Sequence, residues 1–217
     1  MATLPEPPQV FQHIESLRGV YQFRGVIRYG QDNHVPPFPV ESSVEHRMHS
    51  MFLTHLFHPM ENGDLRGINL HKVTAMLLFH DLPEIGKKGD IPQTMKTEAD
   101  EVMSDHEVDE FRALLPQELW HHAESALSEF EACETIDARF ALALDKLEPT
   151  FAVYFDGISR LVPPQAQCIP PGAWHGWIPD SRRRATREFP VMHHYGEVIG
   201  SHIEQQLEAH RPSWAAE

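Results

Sequence analysis

An all-α fold is what this sequence predicts, and three observations predict it. Apolar residues recur three and four positions apart in segment after segment. No stretch alternates apolar and polar residues as a half-buried strand does. The run from Val73 to Phe79 is apolar on every side, as a helix enclosed by other helices is. At 217 residues and 41% apolar, the chain can bury a real core. One domain over residues 1–217 is the economical division: a core from about residue 10 to 157, then a loop and C-terminal helix, 158–217, packed on it.

The first helix is predicted over 9–22, where Phe11, Ile14, Leu17 and Val20 share a face. An irregular stretch runs from Phe23 to Val40, broken by Pro36, Pro37 and Pro39, and it carries Arg24 and Arg28. Ser42 and Glu45 form a capping-box pattern, each side chain able to satisfy the other's orphan backbone N–H, so a second helix starts there. Val44, Met48, Met51, Phe52, His55 and Leu56 make one stripe along it. His46, His49, Ser50, Leu53 and Phe57 make a second face, so burial on two sides is expected.

After the loop Glu61 to Gly67 comes the central helix, which Pro83 stops; Gly86 and Gly89 keep the next residues out of regular structure, and Gly89 to Pro92 turn back. His80 and Asp81 thus fall at a helix C-terminus, where unpaired carbonyls and the negative end of the helix dipole favour a cation. Neighbours in sequence point about 100° apart on a regular helix, so two adjacent residues converge on one ion only near such an end.

Residues 97–115 read as an acidic helix, with Val102, Phe111 and Leu114 inward. Pro116 begins another, carrying Leu119, Ala123, Leu127 and Phe130. From Thr135 onward Ile136, Phe140, Leu144, Leu147 and Phe151 form a stripe. Asp145 stands beside it, a carboxylate among apolar neighbours that needs a partner, with Arg139 and Lys146 the nearby cations. Leu161 to Asp180 reads as a proline-rich loop containing Trp174 and Trp177, before a last helix built on Val191, Tyr195, Val198, Ile199, His202 and Ile203.

Composition bounds the function. The net charge of −14, from 18 basic and 32 acidic residues, speaks against binding a nucleic-acid polymer or an anionic membrane; a phosphate-bearing substrate would need a metal or a few local cations. Met1 to Val10 lacks the pattern of a secretory leader, and no run approaches the roughly 20 apolar residues of a membrane span, so a cytoplasmic location is expected. Cys133 and Cys168 have no framework spacing and are read as reduced thiols. Sixteen histidines direct attention to metal chemistry.

His46, His80, Asp81 and Asp145 together offer two imidazoles and two carboxylates from three predicted helices. Such a mixed set suits one divalent ion, Mn, Co, Fe, Ni, Zn or Mg, with coordination positions left open. An isolated His, then His-Asp, then a distant Asp resembles the HD superfamily of metal-dependent phosphohydrolases. The surrounding residues, Glu41 to His46, His80 to Glu84, Gly89 to Pro92, Leu114 to Pro116 and Asp145 to Glu148, look like its branch of 5'-deoxynucleotidases, over about residues 10–157.

That resemblance implies an HD-domain helical bundle in which those four residues bind the metal. It also implies that Glu84 orients or deprotonates the attacking water, that Asp90 protonates the leaving 5'-oxygen, and that an upstream arginine, Arg28 or Arg24, holds the phosphate. Five residues separate Glu84 from Asp90, one more than in the branch, and Lys87 in that interval is a further phosphate candidate. The expected partner is a small-molecule phosphoester, a nucleoside monophosphate; a homodimer is an expected assembly.

Two other functions compete. Some HD proteins are di-iron oxygenases, which need two more histidines before the final Asp; His106 and either His121 or His122 fall in that interval. A catalytically silent nucleotide-binding module is the other. Glu129, lastly, reads either as a site-facing carboxylate or as surface charge.

Overall fold

The computed structural model describes residues 4–16, 43–81, 117–157 and 177–214, and among them there are eight helices and no strand. They are α1 (Pro7–Ser16), α2 (Ser43–Met60), α3 (Gly63–Arg66), α4 (Leu70–Phe79), α5 (Gln117–Ala132), α6 (Ile136–Asp156), α7 (Trp177–Thr186) and α8 (Pro190–Trp214). The fold is the all-α one expected. No helix among the described residues is long and apolar enough to cross a membrane.

α6 is the axis, packed against α2, α4, α5, α7 and α8. Its start is fixed by Thr135, whose side chain accepts from the Ala138 N–H, and its stripe of Phe140, Leu144, Leu147 and Phe151 is fully buried. Around that stripe Phe57 meets Tyr195 edge-on at 5.2 Å, and Phe140 meets Phe189 at 5.2 Å. Each fully buried side chain of this size contributes on the order of 2 kcal/mol. Asn69 caps α4 by accepting from the His71 and Lys72 N–H groups, while its own N–H donates to Asp137 of α6 at 2.7 Å, fixing the entry of α4 onto the axis. Pro190 opens α8, where a missing N–H costs nothing, and the buried Glu61 accepts from the Met192 N–H at 2.7 Å. A loop carboxylate thereby caps a helix distant in sequence.

Several expectations are corrected. The first helix begins at Pro7 rather than residue 9. On α2 the face through His49, Ser50, Leu53 and Phe57 is buried, while Met48 and Phe52 of the other stripe are 39% and 42% exposed. The helix is covered on one side only, because α6 offers Glu148 as a partner to the polar members of that face. The central helix is not enclosed all round either: His71 and Lys72 are exposed and Leu78 is 43% exposed. Trp177 to Asp180, read as loop, form the first turn of α7. Pro179 is tolerated there because the opening N–H groups of a helix have no internal partner. Residues 17–42, 82–116 and 158–176 lie outside the described residues, and with them the predicted helix over 97–115 and Trp174.

Two details of packing stand out at the C-terminal side of the bundle and at the end of α5. Arg182 of α7 is buried against Gly196 and Gly200 of α8, where a Cβ would come within 2.9 and 2.5 Å of its side chain, and its Nη2 donates to Glu197 at 2.6 Å. Cys133, just past α5, takes a left-handed φ of 52° that favours glycine. Cys133→Gly is therefore expected to raise stability by about 1 kcal/mol, read as a shift of the urea midpoint at unchanged m-value; an unchanged or lower midpoint would count against strain at this position.

Candidate metal centre

Three helices bring four predicted residues together. His46 and His49 lie three apart on α2 and turn the same face to α6, which carries Asp145 and Glu148 at the matching spacing. His80 caps the end of α4, its N–H bonded to the Met76 carbonyl at 2.8 Å, and Asp81 comes directly after it. Arg47 of α2 donates to the Leu78 carbonyl at 3.2 Å, tying α2 to that same helix end. Phe130 of α5 packs on the His80 ring at 5.2 Å.

The distances are short. His46 Nε2 lies 2.9 Å from Asp145 Oδ1; His80 Nε2 lies 3.3 Å from that same oxygen and 3.0 Å from Asp81 Oδ1. Ligand-type atoms of His46, His80 and Asp81 all fall within 4.8 Å of one another. Asp145 also meets Lys146 Nζ at 2.8 Å through Oδ2, so the pairing with Lys146 coexists with the histidine contacts, while Arg139 instead pairs with Glu188.

Hydrogen bonding decides which ring nitrogens point inward. A carbonyl can only accept, so His80 Nδ1 carries the proton it donates to the Leu77 carbonyl at 3.1 Å. Glu148 accepts from His46 Nδ1 at 2.8 Å and from His49 Nδ1 at 3.1 Å. Both inner Nε2 atoms then face carboxylate oxygens, lone pair against lone pair. The arrangement requires positive charge at its centre, either a proton on an imidazole or a divalent cation.

The electrostatics agree. Burial works to lower the His46 pKa, but the hydrogen bonds and charges of Asp145 and Glu148 outweigh it and hold it well above the ordinary value. Asp145 is pushed up by burial, yet Lys146 and the two histidines keep it well below the carboxylate range. Glu148, fully buried, is likewise opposed by burial and held at about 2 by His46 and His49. The donor set, its inward nitrogens and its retained negative charge all fit a divalent metal.

Other predicted residues stand apart from this cluster or lie outside the described residues. Glu129 accepts from Lys72 Nζ and from Thr135, which makes it a surface clamp rather than a site carboxylate. His121 and His122 are exposed on α5, so neither supplies the extra ligand a second iron would need. Glu84, Asp90, Arg24, Arg28, Lys87 and His106 lie outside the described residues. Glu148 and His49 take a role here that their sequence context did not suggest; their signal was the three-residue spacing that repeats on both helices.

The family model described as HD domain matches residues 21–164, about two thirds of the chain and all four clustered residues. The chain belongs to the HD-domain family. HD domains are in general metal-dependent hydrolases of a phosphohydrolase-type superfamily, and the His-His-Asp cluster is compatible with that chemistry. Comparison with curated proteins and with solved structures returned no match.

Proposed function

We propose that this protein is a metal-dependent phosphomonoesterase that removes the 5'-phosphate of nucleoside monophosphates, deoxynucleotides foremost. The observation that carries the reading is the meeting of His46, His80, Asp81 and Asp145, drawn from three helices around a centre that demands positive charge. Those four residues hold the ion. When bound, a divalent ion polarises a phosphoryl oxygen and lowers the pKa of a water molecule.

The protein's own groups do the rest. Glu148 and the Leu77 carbonyl lock the two imidazoles with Nε2 inward, so no reorganisation is needed as substrate arrives. Glu84 orients the attacking water or takes its proton, Asp90 returns a proton to the departing 5'-oxygen, and one upstream arginine, Arg28 or else Arg24, holds the phosphate, with Lys87 a further candidate for that contact. The roles of Glu84 and Asp90 rest on the resemblance of the motif from His80 to Pro92 and that of the arginine on the resemblance upstream of His46; together they answer the needs of phosphoryl transfer: an in-line nucleophile, charge neutralisation and a proton for the leaving group.

A phosphate-release screen over deoxy and ribo monophosphates, with Mn, Co, Mg, Ni and Zn each supplied, tests the proposal. Turnover of a 5'-monophosphate with at least one metal is expected, and none across the panel would leave a nucleotide-binding module instead. Glu84→Ala is expected to keep wild-type metal content while lowering kcat by about a hundredfold to ten-thousandfold, the range for a positioned general base. Wild-type kcat in that variant would remove Glu84 from the mechanism.

A further inference from the structure

A cavity of about 490 Å³ opens between α6 and α7, with none of His46, His80 or Asp81 on its wall. Its size falls in the usual range of small-molecule sites, roughly 300–1,000 Å³. Its charge is opposite to that of the chain. Arg139 and Lys146 of α6, Arg184 of α7 and Arg187 just beyond α7 line it, against Glu188 as the carboxylate on the wall among the described residues.

Glu188 is already engaged by Arg139, at 2.7 Å from Nε and 3.3 Å from Nη2. Lys146 reaches Asp145 at 2.8 Å. Arg184 and Arg187 remain exposed, three positions apart, with no ion pair among the described residues. Cations at the end of α7 complement the helix dipole, which accounts for Arg184 by itself. Arg139 and Lys146, arriving at the same cavity from α6, are each balanced by a carboxylate, Glu188 and Asp145, which among the described residues leaves the unbalanced positive charge of the wall on Arg184 and Arg187. Two unpaired cations three positions apart repel each other, and an anion held between them relieves that repulsion. Ser181 adds a hydroxyl, and Leu142 and Ala185 an apolar wall.

We infer that this cavity is a second, anion-binding site for a small molecule carrying a chain of phosphates. An unpaired pair, Arg184 and Arg187, flanked by the paired Arg139 and Lys146 suits several linked anionic groups better than one. Inorganic polyphosphate and a nucleoside polyphosphate share that chemistry, and the apolar wall gives the second something more to hold.

Calorimetric titration of the full chain in EDTA with inorganic tripolyphosphate, and separately with ATP, tests the site. Saturable binding is expected, weakening as salt is raised. R184E/R187E is expected to raise the Kd at least tenfold, and R184Q/R187Q by less, since both side chains are exposed and the fold does not depend on them. Asp81→Ala is expected to bind as wild type does, which separates this site from the metal cluster. Tighter binding of ATP than of tripolyphosphate assigns the cavity to nucleotides, and equal binding to the phosphate chain alone. No saturable binding, equal affinity in R184E/R187E, or loss of binding in Asp81→Ala would each overturn the inference. None of these readouts depends on turnover, so an inactive enzyme leaves this test intact.

Discussion

Asp145→Ala is expected to leave the protein without its divalent metal and to lower phosphoester turnover by roughly a hundredfold to a thousandfold or more, the loss that accompanies removal of one electrostatic contact at a reacting centre. The expectation comes from where Asp145 stands. One of its oxygens meets both His46 and His80, so it joins α2 to α4 through α6, and no other described residue hydrogen-bonds to both rings. Metal content after dialysis and phosphate release, measured on the same preparation, check it. Asp145→Asn belongs beside it, because the amide keeps the volume while removing the charge. Wild-type metal stoichiometry in both variants would show that Asp145 is not a ligand.

Glu148→Ala should be nearly as damaging by a different route. Glu148 is fully buried, and its removal strands the Nδ1 protons of His46 and His49 in the interior. Breaking a buried charge pair from one side costs about 3–5 kcal/mol. Loosening a ligand ring through its outer partner lowers metal affinity by about 10–100-fold. Urea denaturation in EDTA reads the first effect without the metal's contribution, and metal titration reads the second. Glu148→Gln keeps an acceptor and the volume, so it should recover much of the stability while still binding metal weakly. Wild-type metal affinity in Glu148→Gln would reduce Glu148 to a packing residue.

The clustering of His46, His80, Asp81 and Asp145 was legible because its chemistry is written in unusual places: a histidine and an aspartate where an apolar helix ends, and a lone carboxylate inside a stripe of Phe140, Leu144 and Leu147. Such residues are costly to bury without a partner, so each implies the others. What pairs with what was less legible. His49 and Ser50 looked no more buried than Met48 and Phe52, since hydrophobicity ranks the second pair inward. The order reverses because Glu148 supplies a charged acceptor on the facing helix, and a partner about a hundred residues away leaves no local trace.

α7 was missed for the opposite reason. Pro179 falls in the stretch to Asp180 that reads as loop, although proline is harmless in a first turn, and the arginines from 182 to 184 give no apolar stripe to mark a helix, although Arg182 is enclosed. Gly196 and Gly200, spaced by four in α8, were the available sign that something bulky must lie against that helix.

The family match ends at residue 164, before α7 and α8 begin. Yet Phe189, Met192, Tyr195, Ile199 and Ile203 belong to the same buried cluster as Phe57 and Phe151, and α8 is roofed onto the rear of α6. Cleavage between the two parts would accordingly leave each half with its share of that common apolar cluster uncovered. An evolutionary boundary drawn from shared sequence is therefore no guide to where this molecule can be cut.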